Sequence, residues 1–200
     1  MNTLLTLSFA ILAFFATTGA TAQASAHIQS LEFKLQLMAD GKTWGVYVKP
    51  DNTITPSGNT MTGSGQVTLV VPSNFKYAKF KNHGGTWGEN ARVDNPIEAP
   101  GKSYVSFGFV TDEPRIFLFP NEETLLFTFT CDASFRGQIA LIDNEDDPFA
   151  APNSYGSNPG NDLGMIDVGH PNGLLHYVYA RNFGEMQGTY NLEILASKND

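Results

Sequence analysis

The chain holds a single cysteine, Cys131, so no disulfide forms within it. A protein of 200 residues buries enough apolar surface to do without such staples. Cys131 closes an alternating stretch on the side of Leu125, Phe127 and Phe129, and is read as a small core residue rather than a nucleophile. Cations are scarce as well. Twelve Lys plus Arg stand against 20 Asp plus Glu, for a formal net charge of −8 at pH 7. That balance argues against nucleic acid and against anionic membranes as partners, because both draw on a positive surface. The one basic cluster, Lys76, Lys79 and Lys81, is short and fits a solvated edge or turn.

The signatures of catalysis are missing. There is no G-x-S-x-G, no H-E-x-x-H and no glycine-rich phosphate loop. His27, His83, His170 and His176 are scattered without ligand spacing. Glu32 and Glu193 are the clear acids within strand-like segments, and sequence alone does not pair them as a glycosidase would. The expectation is a protein that is not an enzyme.

Long apolar runs are absent except for one, Leu4 to Ala16. It is too short to span a bilayer comfortably, which takes about twenty residues. Small residues follow, with A-x-A patterns at Ala20–Ala22, Ala22–Ala24 and Ala24–Ala26. This is the layout of a secretory signal peptide, although its start lacks Lys or Arg. The expected division is a signal peptide over residues 1–24, with Ala22 as the alternative cut, and one domain over 25–200. The expected localisation is secreted, extracellular or at the cell surface.

What is present is a period of two. Leu31, Phe33, Leu35 and Leu37 alternate with Glu32, Lys34 and Gln36. Similar alternation runs through Trp44–Lys49, Gln66–Pro72, Tyr104–Val110, Thr124–Cys131, Gly137–Ile142, Leu174–Ala180 and Thr189–Leu195. Phe75–Lys81 and Ile116–Phe119 are weaker candidates. Turn residues separate these segments, and no amphipathic helix interrupts them. The fold class expected is all-β: a two-sheet antiparallel β-sandwich, jelly-roll or immunoglobulin-like, of about nine strands. Residues 51–65, 82–102 and 143–162 read as long loops, which in compact domains are usually functional or mobile.

The order of Trp44–Val48, Val67–Pro72, Tyr104–Phe109, Leu125–Phe129 and Gly137–Leu141 resembles cohesin-like and carbohydrate-binding-module-like sandwiches of secreted bacterial proteins. Leu141–Phe149, Pro152–Ser154 and Asn158–Asn161 resemble segments in N-terminal domains of exported surface proteins. The resemblance implies a binding or structural module of the cell surface or matrix, whose partner is another surface protein or a polysaccharide. A carbohydrate-binding module is the alternative, and a glycan-active enzyme the third reading.

Two groups of residues carry candidate chemistry. Asp143, Glu145, Asp146, Asp147 and Asp162 crowd into one polar stretch with Asn144, Asn153, Asn158 and Asn161. Calcium takes six to eight oxygens from such groups, so it is the candidate cofactor. The EF-hand spacing is absent, and turn geometry alone also accounts for Asp, Asn, Pro and Gly. The second group is aromatic. Trp87 in His83–Gly88 and Tyr155 in the acidic stretch are the candidates for stacking on sugar rings, while Trp44 suits a core strand.

Overall fold

The computed structural model describes residues 27–51, 54–131, 135, 137–170, 175–184 and 188–189. The leader, its cleavage site, Glu193 and most of the segment expected as a strand over 189–195 lie outside these residues. Eleven strands follow in order: β1 (His27–Leu37), β2 (Thr43–Asp51), β3 (Thr60–Pro72), β4 (Tyr77–Asn82), β5 (Thr86–Asp94), β6 (Lys102–Thr111), β7 (Thr124–Cys131), β8 (Gln138–Leu141), β9 (Asp162–Asp167), β10 (Leu175–Asn182) and β11 (Gly188–Thr189). The described residues contain no helix, so the fold is all-β.

The strands form one continuous hydrogen-bonded sheet in the order β11-β8-β3-β9-β10-β1-β2-β7-β4, with β6 on the other edge of β3 and β5 beside β6. It is a mixed sheet, because β1 runs parallel to β10 while pairing antiparallel with β2. β3 is long enough to take two partners in succession along one edge: β9 along residues 60–66, then β8 at Leu69 and Val70. The open edges, β4 and β5, meet at a corner. There the Trp87 N–H donates to Asn82 Oδ1 (3.0 Å), and the His83 and Gly84 N–H groups both reach the Leu126 carbonyl. The sheet therefore comes close to closing into a barrel.

Alternation places the core. Leu31 and Phe33, Trp44, Val46 and Val48, Val67, Leu69 and Val71, and Val105 and Phe107 all point into one buried cluster. β7 departs from the simple alternation. Its pairing with β2 skips Leu126, since Val46 opposes Phe127 and Tyr47 opposes Leu125. Such a bulge moves the flanking residues to opposite faces. Leu126 is buried and Leu125 is left half-buried beside Tyr47.

The segment 82–102, expected as a loop, contains β5. Gly88, Asn90 and Asp94 are weak strand formers, but pairing with β6 along eight positions holds the strand. Likewise the first half of β3 lies where a loop was expected over 51–65. Gly65 in that strand is required by contact: a Cβ there would lie 2.8 Å from the Trp87 ring and 3.0 Å from Leu163. Ile116–Phe119, expected as a strand, joins no ladder; Ile116 and Leu118 are buried beneath it, while Phe117 and Phe119 face outward.

Candidate functional site

The loop between β8 and β9, residues 142–161, is held by side chains acting as backbone. Asp143 Oδ1 accepts the N–H groups of Glu145 (2.9 Å) and Asp146 (3.1 Å), which makes an Asx turn. Asp147 Oδ1 accepts the Tyr104 hydroxyl (2.6 Å) and the Phe149 N–H (2.9 Å). Burial, and then the Asp147 charge, raise the Tyr104 hydroxyl above its ordinary pKa, so it stays a donor. Phe149 is buried against Tyr104, with ring centroids 4.6 Å apart. Asn153 donates to the carbonyls of Phe149 (2.9 Å) and Ser157 (3.0 Å) and closes the next turn. Glu98, from the β5–β6 loop, accepts the Ser154 N–H at 2.6 Å.

The base of the loop is a set of amides. Asn161 is buried. Its oxygen accepts the Thr68 N–H (2.8 Å), and its nitrogen donates to the Ile142 carbonyl (3.0 Å) and to Asn182 Oδ1 (3.1 Å). Asn182 donates in turn to the same Ile142 carbonyl (2.8 Å), and the Tyr179 hydroxyl donates to Asn182 Oδ1 (3.0 Å). Asn144 and Asn161 exchange two further bonds. An interior network with every member satisfied is rigid.

The five candidate metal ligands do not converge. Glu145 and Asp146 are exposed. Asp143 and Asp147 serve the turns just described, and Asp162 faces Ser64 on β3 (3.2 Å). Among the described residues no three of His, Cys, Asp or Glu gather in a group that could hold a metal ion. The aromatic candidates separate as well. Trp87, expected exposed in a loop, is buried. Pairing of β5 turns its indole inward against Phe109 and Phe127, and Nε1 donates to the Gly84 carbonyl at 2.7 Å. Tyr155 is 57% exposed and stands edge-on to Phe149, with centroids 5.7 Å apart. Tyr177 and Tyr179, aromatics of β10, point to the core side.

Other groups with possible chemistry have structural tasks. Burial pushes the half-buried Cys131 thiol up to about 12, far from thiolate formation at neutral pH. Burial lowers the pKa of His83, whose Nε2 lies 3.2 Å from Thr128 Oγ1. Glu32 is buried on β1 between Lys49 of β2 (3.3 Å) and Arg181 of β10, its two cross-strand neighbours.

Two hollows flank Asp143. One, of about 400 Å³, has an apolar floor that includes Val70, Pro72 and Ala140. The other, of about 630 Å³, lies between the Asp143–Glu145 turn and Tyr179–Gly184. Nothing in the local sequence of Arg181 and Asn182 distinguishes them from ordinary surface polar residues, and Asn161, expected as an oxygen donor beside the acids, is instead a buried amide that ties the loop to β3.

On the outer face of the sheet, Met61, Ile166, His176 and Ile28 lie directly opposite one another across β3, β9, β10 and β1. Residues so paired share a face. Met61 is 53%, Ile166 37% and Ile28 66% exposed, and Val178 lies one step further along β10 on the same face at 41%. No family model matches the chain, and no curated protein sequence matches it.

Proposed function

We propose that the chain is a secreted, non-enzymatic binding module, built as a two-sheet sandwich, that works at the bacterial cell surface or in its matrix by docking a protein partner. The observation that supports this reading is the outward row of Met61, Ile166, His176 and Ile28, three of them apolar and exposed, with Val178 beside it. Soluble proteins rarely cluster such residues on a regular sheet face, and patches of this kind mark interaction sites. Four hydrogen-bonded strands carry the row, so little backbone ordering is needed on binding. The cohesin-like resemblance of the strand order points the same way.

The test is selective loss. A partner recovered from the cell envelope by the native protein must be lost by both Met61→Lys and Ile166→Lys. Ile97→Lys, at a residue 79% exposed and outside the row, must keep it. Retention by both row variants sinks the reading. Sedimentation of the purified protein separates a foreign partner from a second copy of the chain.

A further inference from the structure

We infer that the cleft between the Asp143–Glu145 turn and the end of β10 binds a neutral saccharide. The inference is independent of the apolar row, none of whose residues lines the cleft. The cleft holds about 630 Å³, within the range of small-molecule sites. Its base is already organised. Asn182, Asn161 and the Tyr179 hydroxyl bond to each other and to the Ile142 carbonyl, so no group there must rearrange to admit a ligand.

The groups left over at the walls define the ligand. On one side stand Asp143, whose Oδ1 is spent on the turn and whose Oδ2 faces no donor among the described residues, and the exposed carboxylate of Glu145. On the other stands Arg181, held in place by Glu32 and Asp51 through one terminal nitrogen, Nη2. A guanidinium carries five N–H donors, so several remain available. One wall therefore accepts hydrogen bonds and the other donates them.

Chemistry eliminates the other ligand classes. Two carboxylates repel phosphate and uronic acids. A bare cation lacks a coordination set here, since no three-ligand metal group exists among the described residues. The lining is more polar than apolar. A polyol satisfies both walls. Adjacent hydroxyls donate to a carboxylate while their lone pairs accept from the guanidinium. No aromatic face enters this scheme, because the Tyr179 ring is packed against Phe33 at 4.9 Å. Recognition by hydrogen bonds alone is weak, with an expected Kd of about 1 mM.

The probes are neutral trisaccharides of glucose, mannose and galactose, titrated into the full chain and followed by amide NMR shifts. Glucuronate and calcium chloride, each alone, are the control arms. At least one neutral trisaccharide should give saturable shifts confined to residues 143–145 and 179–182. Glu145→Gln, at an exposed side chain with no hydrogen-bond partner among the described residues, should weaken that binding about tenfold, as expected for one charge-assisted hydrogen bond. Met61→Lys should leave it unchanged, which keeps this inference separable from the docking row. Absence of shifts for all three sugars, equal binding by Glu145→Gln, equal binding of glucuronate, or the same shifts from calcium alone would each overturn it.

Discussion

The side-chain nitrogen of Asn161 lies 3.0 Å from the carbonyl oxygen of Ile142, and this contact closes the acidic loop at its base. Nineteen residues separate the two partners, so this buried amide brings the two ends of the loop together. It also accepts the Thr68 N–H of β3, tying loop to framework. Asn161→Ala leaves the buried Thr68 N–H without its acceptor and removes one of the two donors to the Ile142 carbonyl, which keeps Asn182. It should cost about 3 kcal/mol in urea unfolding. Hydrogen exchange should rise across residues 143–160 while the β1–β2 amides stay protected.

The same scaffold bears on calcium. Asp143 and Asp147 already accept protein donors, and Asp162 faces Ser64. The melting temperature is expected to be equal in calcium and in chelator. A rise with calcium that disappears in Asp143→Asn would instead establish an ion in the loop, since a ligand of the folded state alone raises stability.

Asp167 should make the fold acid-sensitive. Its carboxylate is fully buried at the end of β9. Burial pushes its pKa up, but hydrogen bonds from the Ser57 hydroxyl, the Ser57 N–H (2.6 Å) and the Gly169 N–H (3.0 Å), with the nearby His170, outweigh that and hold it below the usual value. A lowered folded pKa stabilises above the unfolded pKa of about 3.9, and the contribution is lost as pH falls through the folded value. Urea midpoints should therefore drop below about pH 4, and Asp167→Asn should flatten that part of the profile while lowering stability at pH 7.

The Tyr177 hydroxyl is buried without a hydrogen-bond partner among the described residues, and burial raises its pKa to about 12. Tyr177→Phe keeps the ring in the core and removes a desolvated polar group. Stability should rise by about 1 kcal/mol, read as a higher urea midpoint with an unchanged slope.

Trp87 and Tyr155 should behave oppositely on truncation. Trp87→Ala empties a core position against Phe109 and Phe127 and should cost about 3–5 kcal/mol. Tyr155→Ala removes a ring that rests on Phe149 from outside and should cost under about 1 kcal/mol. Thermal or urea unfolding of the two variants checks both.

Much of the framework was legible in the residues. The alternation of Leu31 and Phe33, of Val67, Leu69 and Val71, and of Val105 and Phe107 names the buried face directly, because side chains in a strand change sides at every residue. The polar run after Leu141 announced a loop for the same reason, since no period survives in it. The site was less legible. Asp143 and Glu145 stood out as acids, but the opposite wall, Arg181 and Asn182, comes from a strand about forty residues away.

Composition and local period by themselves determined the all-β class, the inward residues of most strands and the place of the acidic loop. Tertiary structure decided the rest. Pairing with β6 made a strand of Thr86–Asp94 and buried Trp87. A bulge opposite β2 exchanged Leu125 for Leu126 in the core. Parallel pairing of β1 with β10 set Glu32 beside Arg181 and Ile28 beside His176. Each of these depends on which distant strand supplies the hydrogen bonds, and backbone hydrogen-bonding groups, being the same at nearly every residue, carry no local mark of their partner.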